Sequence, residues 1–166
     1  MDYRNLKKKF VLPQDYQAPQ ELTFDDLVAR PLKRTDLKDD IDGVNSSLEL
    51  IRKTRGGLWP SEPVTEEFDL LDLAWHEREF RDATSFAYVV YATDGRYIGC
   101  FYLYPMGERT ELTEDRLQYD VDASWWVTAE AYGQGYYKKL YKALQEWMTN
   151  DFPFEKVYYS NKGIPA

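Results

Sequence analysis

A chain of 166 residues with a net charge of −8, one cysteine and one histidine excludes several function classes. The length suits one domain with a sizeable core, and the acidic balance argues against a nucleic-acid binder, which needs a cationic face. Cys100 and His76 alone cannot make an internal disulfide, a zinc cluster or a multi-histidine metal centre.

The N-terminus, "MDYRNLKKKF", lacks an apolar signal core, and no apolar run approaches the about 20 residues of a membrane helix. A cytoplasmic protein is therefore expected, with no nucleic acid, membrane or metal as partner. Residues 1–23 are polar, contain Pro13 and Pro19, and read as an N-terminal arm ahead of a single domain over 24–166. "DLVARPL" (Asp26 to Leu32) has short-strand character and ends at a proline. Leu37, Ile41, Val44, Leu48 and Ile51 then draw one helical stripe, with Gly43 the expected point of division into two helices. "RGGLWPSEP" breaks the pattern. A further helix follows over "TEEFDLLDLAWHEREFRD", with Thr65 as N-cap. Phe68, Leu71 and Trp75 are its expected buried side, and His76 sits beside that stripe.

The period then changes. "SFAYVVYATDGRYIGCFYLYP" is two apolar runs around Asp94-Gly95, a hairpin signal. Because both faces of these strands are apolar, they should be central and covered by helices on each side, with Cys100 a small buried hydrophobe. "LQYDVDASWWVT" is a third strand, with Asp120, Asp122, Ser124 and Trp126 on one face and Val121, Ala123, Trp125 and Val127 on the other. A glycine turn at Gly133 and Gly135 leads into a helix carrying Tyr137, Leu140, Tyr141, Leu144, Trp147 and Met148 on one side, and "KVYYS" closes the unit as a strand. A strand–helix–strand crossover makes the last two strands parallel. A strand that runs through glycines into a helix also gathers backbone N–H groups and the positive end of the helix dipole at one spot, which suits a phosphate.

This order of elements, with its glycine turn, resembles the GNAT superfamily of acyl-CoA-dependent N-acyltransferases. The likeness covers residues 24–161 in element order and is concentrated in 117–148. The expected fold is thus α/β of the α+β kind, a mixed and mainly antiparallel sheet flanked by helices. In that family an Arg/Gln-x-x-Gly-x-Gly/Ala turn holds the coenzyme's pyrophosphate on backbone amides. Here the pattern falls on Tyr132, Gly133, Gln134, Gly135, Tyr136 and Tyr137. Gly135 matches, whereas Tyr132 stands where the family has a cationic or amide residue, and Tyr137 where it has a small one. The resemblance implies that the backbone of Trp126, Val127 and Thr128 pairs with the pantetheine arm and polarises the thioester carbonyl. It makes Asp122, with Asp120, the candidate general base. Only Asn161 to Ala166 follow the last strand, where the family continues with another helix and a hairpin, so a short form is expected.

Two functional readings stay open. One is an N-acetyltransferase that moves an acetyl group from acetyl-CoA, its cosubstrate, to the amine of a small molecule or a protein, with an aromatic cleft near Trp126 and Trp75. The other is a GNAT-like fold acting as a non-catalytic binding or assembly module, its last strand covered by the N-terminal arm or by a second copy in a homodimer.

Overall fold

Six apolar segments pair into one sheet whose spatial order follows the chain. The computed structural model describes all 166 residues. The strands are β1 (Leu22–Phe24), β2 (Leu27–Pro31), β3 (Phe86–Ala92), β4 (Tyr97–Tyr104), β5 (Val121–Val127) and β6 (Val157–Tyr159). Neighbours pair antiparallel except β5 and β6, which are parallel. Helices α1 (Leu37–Asn45), α2 (Leu48–Arg55) and α3 (Glu66–Arg81) occupy the β2–β3 connection. The β5–β6 crossover holds a short α4 (Ala129–Gly133) and the long α5 (Tyr136–Asn150). No helix is long and apolar enough to cross a membrane.

Period-two alternation along β3, β4 and β5 sends side chains into two separate cores. Phe86, Tyr88, Val90, Phe101, Leu103 and Trp125 meet α5 on one face, while Val89, Cys100, Tyr102 and Trp126 meet α1, α2 and α3 on the other. This two-sided cover is the one expected from apolar residues on both faces of the strands. Cys100 is fully buried, and burial raises its thiol well above its ordinary pKa.

Four details differ from the sequence reading. β1 lies within the segment read as polar arm, and the residues before it are laid over the α5 face: Phe10 stacks on Phe86 at 5.6 Å and Tyr88 Oη donates to Pro19 O at 2.7 Å. The break between α1 and α2 falls at Ser46 and Ser47 instead of Gly43. Gly43 stays inside α1 because the Tyr97 ring presses on it; a Cβ there would lie 2.4 Å from Tyr97 Cε1. A turn of helix, α4, takes in Gly133 and intervenes between β5 and Gly135, capped where Thr128 Oγ1 accepts from Ala131 N–H at 3.1 Å.

The fourth difference is the orientation of α3. Phe68, Leu71 and Trp75 are 57%, 60% and 49% exposed, whereas Asp69 and Leu73 are buried and His76 and Phe80 continue their stripe inward. The helix turns this way because Asp69 sits in the interior beside the buried Asp40. Burial, and then Asp69, raise Asp40 well above the usual carboxylate range, and burial raises Asp69 as well.

Strands β4 and β5 approach most closely at Gly99, opposite Val127. A Cβ on Gly99 would stand 2.0 Å from Trp126 O and 2.8 Å from Val127 Cα, both backbone atoms that cannot swing aside. Gly99→Ala is expected to cost about 2–3 kcal/mol or more in urea unfolding. Gly95→Ala, at the hairpin tip with φ +92 and open space around it, should cost about 1 kcal/mol. Equal losses would show that the β4–β5 approach is not a packing constraint.

Candidate active site

The edge of β5 that faces β6 is paired for only part of its length. Register runs from Val121–Val157 to Ala123–Tyr159, and the last backbone bond is Ser160 N–H to Ala123 O at 2.9 Å. Beyond it the strands diverge, and the Asn161 side chain takes over. Its Oδ1 accepts from Trp125 N–H at 3.0 Å and its Nδ2 donates to Trp125 O at 2.9 Å. On the other edge Thr128 N–H donates to Ile98 O at 2.9 Å, so the even residues of β5 are committed to β4. Alternation turns the N–H and C=O of Val127 to the same side as those of Trp125, past the reach of Asn161.

At the end of that edge stands the N-terminus of α5. Within the turn, Gln134 N–H donates to Ala131 O and Gly135 N–H to Tyr132 O, each at 3.1 Å, so these two groups are spent locally. The open donors belong to the first turn of α5, at Tyr136, Tyr137 and Lys138, which have no intrahelical acceptor and no side-chain cap. Gly135 supplies the left-handed residue that this entry needs, at φ +86, and neither Gly133 nor Gly135 has an atom within 4 Å of where a Cβ would be. A cavity of about 480 Å³ opens there, lined by Lys53, Thr54, Tyr132, Gly135, Tyr137 and Lys138 with the chain's last residues. Two lysines and a helix N-terminus make it a place for an anion.

The turn is held from behind. Gln134 Oε1 accepts from Arg96 Nη1 at 2.6 Å, and Tyr136 Oη donates to Asp26 while accepting from Arg96 Nη2 at 2.8 Å. Tyr132 lies half-exposed with its ring 5.6 Å from that of Tyr137. Tyr137 forms the cavity wall: its hydroxyl donates to Gly163 O at 2.5 Å and accepts from Asn161 Nδ2 at 2.8 Å.

A second cavity, of about 490 Å³, lies on the other side of the end of α2, with Arg55, Trp59, Trp75, His76, Tyr104 and Arg109 in its lining. The even face of β5 lies beneath it. Trp126 Nε1 donates to Tyr102 Oη at 2.8 Å and its ring packs on Trp59, so Trp126 supports the aromatic cleft from below while Trp75 borders it. Arg55, only 8% exposed, donates from Nε to Ser124 Oγ at 3.1 Å, its guanidinium held over the Tyr102 ring at 4.5 Å and near Trp59 at 5.7 Å. Arg109 Nη2 ties down the loop after α2 through Arg55 O at 2.9 Å and Gly56 O at 3.1 Å. Burial, and then the Arg55 charge, push the Arg109 pKa down to about 10.

The two acids singled out in the sequence have different surroundings. Asp120 Oδ2 accepts from the N–H groups of Glu155 and Lys156, at 3.0 and 2.9 Å, and anchors the approach to β6. Asp122 is fully buried on the Arg55 side, accepts from Ser160 Oγ through Oδ1, and has no partner for Oδ2. Burial raises its pKa; the bond from Ser160, the nearby Thr110 hydroxyl and the charges of Arg109 and Arg55 only partly oppose this.

Several site residues were not found from sequence. His76 lines the second cavity with Nε2 3.4 Å from Asp72 Oδ2 and Nδ1 buried without a partner. Arg55 did leave a signal, since the stripe Leu48, Ile51 extends by four residues onto it, a cation at a core position. Asn161 and Arg109 left none, for both lie in irregular chain.

Residues 26–161 match the family model for the acetyltransferase (GNAT) domain. Solved structures share the fold at low identity. One is RimL, a ribosomal L7/L12 alpha-N-protein acetyltransferase in complex with coenzyme A, with TM-score 0.59 and 11% identity over 80% of this chain and 70% of that one. Another is a ribosomal-protein-S5-alanine acetyltransferase from Vibrio fischeri, with TM-score 0.56 and 15% identity over 77% and 66%. A third is an acetyltransferase of Salmonella typhimurium that modifies the N-terminal serine of 50S subunit protein L7/L12, with TM-score 0.54 and 10% identity over 78% and 68%. Sequence comparison with curated proteins finds no match.

Asn161 bonds to both polar groups of Trp125 and to Tyr137, so Asn161→Ala strands three buried groups. The variant is expected to lose about 2–3 kcal/mol in chemical denaturation. Asn161→Asp, which keeps the shape without the amide donors, should lose nearly as much. A loss below about 0.5 kcal/mol for both would mean that water replaces the amide and the seam is not buried.

Proposed function

The chain belongs to the GNAT acetyltransferase family, and on that premise we propose that it moves an acetyl group from acetyl-CoA to the amine of a small molecule or a protein. The observation that carries this reading is the open β5 edge at Val127, which ends at an uncapped helix N-terminus flanked by Lys53 and Lys138. The pyrophosphate would lie on the amides of the first α5 turn, with Gly135 leaving room and the two lysines supplying the charge that Tyr132 lacks. The pantetheine arm would run along the edge of β5. Of Trp126, Val127 and Thr128, Val127 has the N–H free to polarise the thioester carbonyl.

The acceptor enters from the second cavity. Its neutral nitrogen attacks the carbonyl carbon, the C–N bond forms, the C–S bond breaks, and the proton leaves nitrogen for a base. We assign that role to Asp122 through its unpartnered Oδ2; because it lies five residues, about 16 Å, from Val127 along β5, the proton reaches it through a chain of waters, and we give Asp120 the part of holding the loop that orders Ser160. A lone buried thiol suits the reducing cytoplasm. One observation favours the non-catalytic reading instead: Asn161 already fills the Trp125 position of the edge.

Calorimetric titration with acetyl-CoA separates the two. Wild type should bind in the micromolar range and Gly135→Val about tenfold or more weakly, because its side chain enters the cradle at a strained φ. Failure of wild type to bind at millimolar coenzyme sinks the acetyl-transfer reading.

Asp122→Asn should lower kcat about 10²- to 10⁴-fold. In wild type the acid limb of the rate profile should lie above the range of an ordinary aspartate, because the base must be ionised and its folded pKa is raised. The sign for stability is opposite. A carboxyl with a raised folded pKa contributes nothing below the unfolded value of 3.8, destabilises increasingly as pH rises from there to the folded value, and does so by a constant amount above it. The stability of Asp122→Asn relative to wild type should therefore grow as pH rises through that window, measured by urea unfolding at several pH values.

A further inference from the structure

The protein carries 29 acidic residues against 21 basic ones, yet its one buried cation, Arg55, makes no ion pair: the buried Asp122 feels its charge but does not come within salt-bridge distance. Buried arginines are almost always paired. Arg55 is 8% exposed, its Nε is taken by the neutral Ser124 hydroxyl, and its two terminal nitrogens make no hydrogen bond or salt bridge. It faces the second cavity between Tyr102 and Trp59, with Arg109 as a second cation in the same lining. A guanidinium fixed between aromatic rings with its fork free is a preformed receptor for a planar anion.

The opposite wall has the other charge. Asp72 and Glu79 project from one face of α3 into the same cavity, and neither is paired with a lysine or an arginine. Glu108, also in the lining, is committed to Lys7 at 2.8 Å. The cavity thus offers a bidentate cationic fork on one side, carboxylates suited to an ammonium on the other, and Trp59, Trp75 and Tyr104 between them. With Asp72 and Glu79 present, a dianionic phosphate would be repelled, whereas a monoanionic carboxylate with its own amine matches both walls.

We propose that this cavity binds an amine that also bears a carboxylate, an amino acid with an apolar or aromatic side chain, with its carboxylate on the Arg55 fork. That this amine is then acetylated rests on the acetyl-transfer reading; binding of the carboxylate does not. Arg109 supports the site by pinning the loop after α2 and by adding charge; burial, and then the Arg55 charge, depress its pKa, and an anion would oppose the second effect.

The test uses the intact chain without coenzyme, by calorimetry and thermal shift, with L-phenylalanine, L-phenylalaninamide and phenethylamine as probes. The three share ring and amine, and only the first has a carboxylate. L-Phenylalanine is expected to bind at least about tenfold more tightly than the other two, and Arg55→Lys, which keeps the charge and loses the fork, should erase the difference. The proposal is overturned if phenethylamine binds as well as phenylalanine, if none binds at millimolar concentration, or if inorganic phosphate displaces phenylalanine where acetate does not. The wild-type comparison needs no variant, so a poorly folded Arg55→Lys leaves it decisive. A separate acetyl-CoA titration tells failure of this site from failure of the donor site.

Discussion

A buried strand edge has to be hydrogen-bonded along its whole length, and in this protein the partner of β5 changes identity from residue to residue. At Ala123 the partner is the backbone of β6, and at Trp125 it is the side-chain amide of Asn161. At Val127 the edge comes free beside the start of α5. Divergence of two parallel strands makes a wedge that no strand can fill, and the wedge opens where a glycine in the left-handed conformation lets a helix begin. The opposite edge cannot yield, because Gly99 already brings β4 into contact with the Trp126 carbonyl. The open edge and the cavity beside it follow from this mismatch more than from any set of side chains.

The last turn of α2 divides the space around that wedge. Lys53 and Thr54 border one cavity and Arg55 and Gly56 the other, since successive residues on a helix point about 100° apart. The chain after β6 runs along this turn, with Lys162 N–H on Arg55 O at 3.2 Å and Gly163 N–H on Thr54 O at 2.9 Å. The cations Lys53 and Arg55 therefore come from one helix end and line two different cavities. The acids that balance them come from elsewhere: Asp122 from the sheet and Asp72 and Glu79 from α3.

Much of the architecture was legible in the residues. Alternation in "SFAYVVYA" and "YIGCFYLY" around Asp94-Gly95 marked the central hairpin, and the glycine turn before an amphipathic helix marked the crossover and its parallel strand. The misreading of α3 has a physical cause. Its inward stripe is Asp69, Leu73, His76 and Phe80, at helical spacing but half polar, so a rule that buries the most apolar face selects Phe68, Leu71 and Trp75 instead. Burial raises both carboxyls and so favours their neutral forms, which cost far less to bury than charges, and pattern analysis treats every aspartate as charged. Arg55 escaped notice in the same way, as the one charged member of an otherwise apolar stripe.

By itself, the sequence determined the sheet, the crossover, the two-sided core and the backbone cradle at Gly135. Each of these rests on local periodicity or on a conformation that one residue type allows, and both are written in consecutive residues. Tertiary structure alone decided that Asn161 replaces a strand, that Asp122 faces inward with a free oxygen while Asp120 serves a loop, and that Arg55 meets Arg109 and the rings of Tyr102 and Trp59. Those groups lie tens of residues apart, and whether a charge is paired, exposed or left waiting depends on which distant segment the fold brings to it.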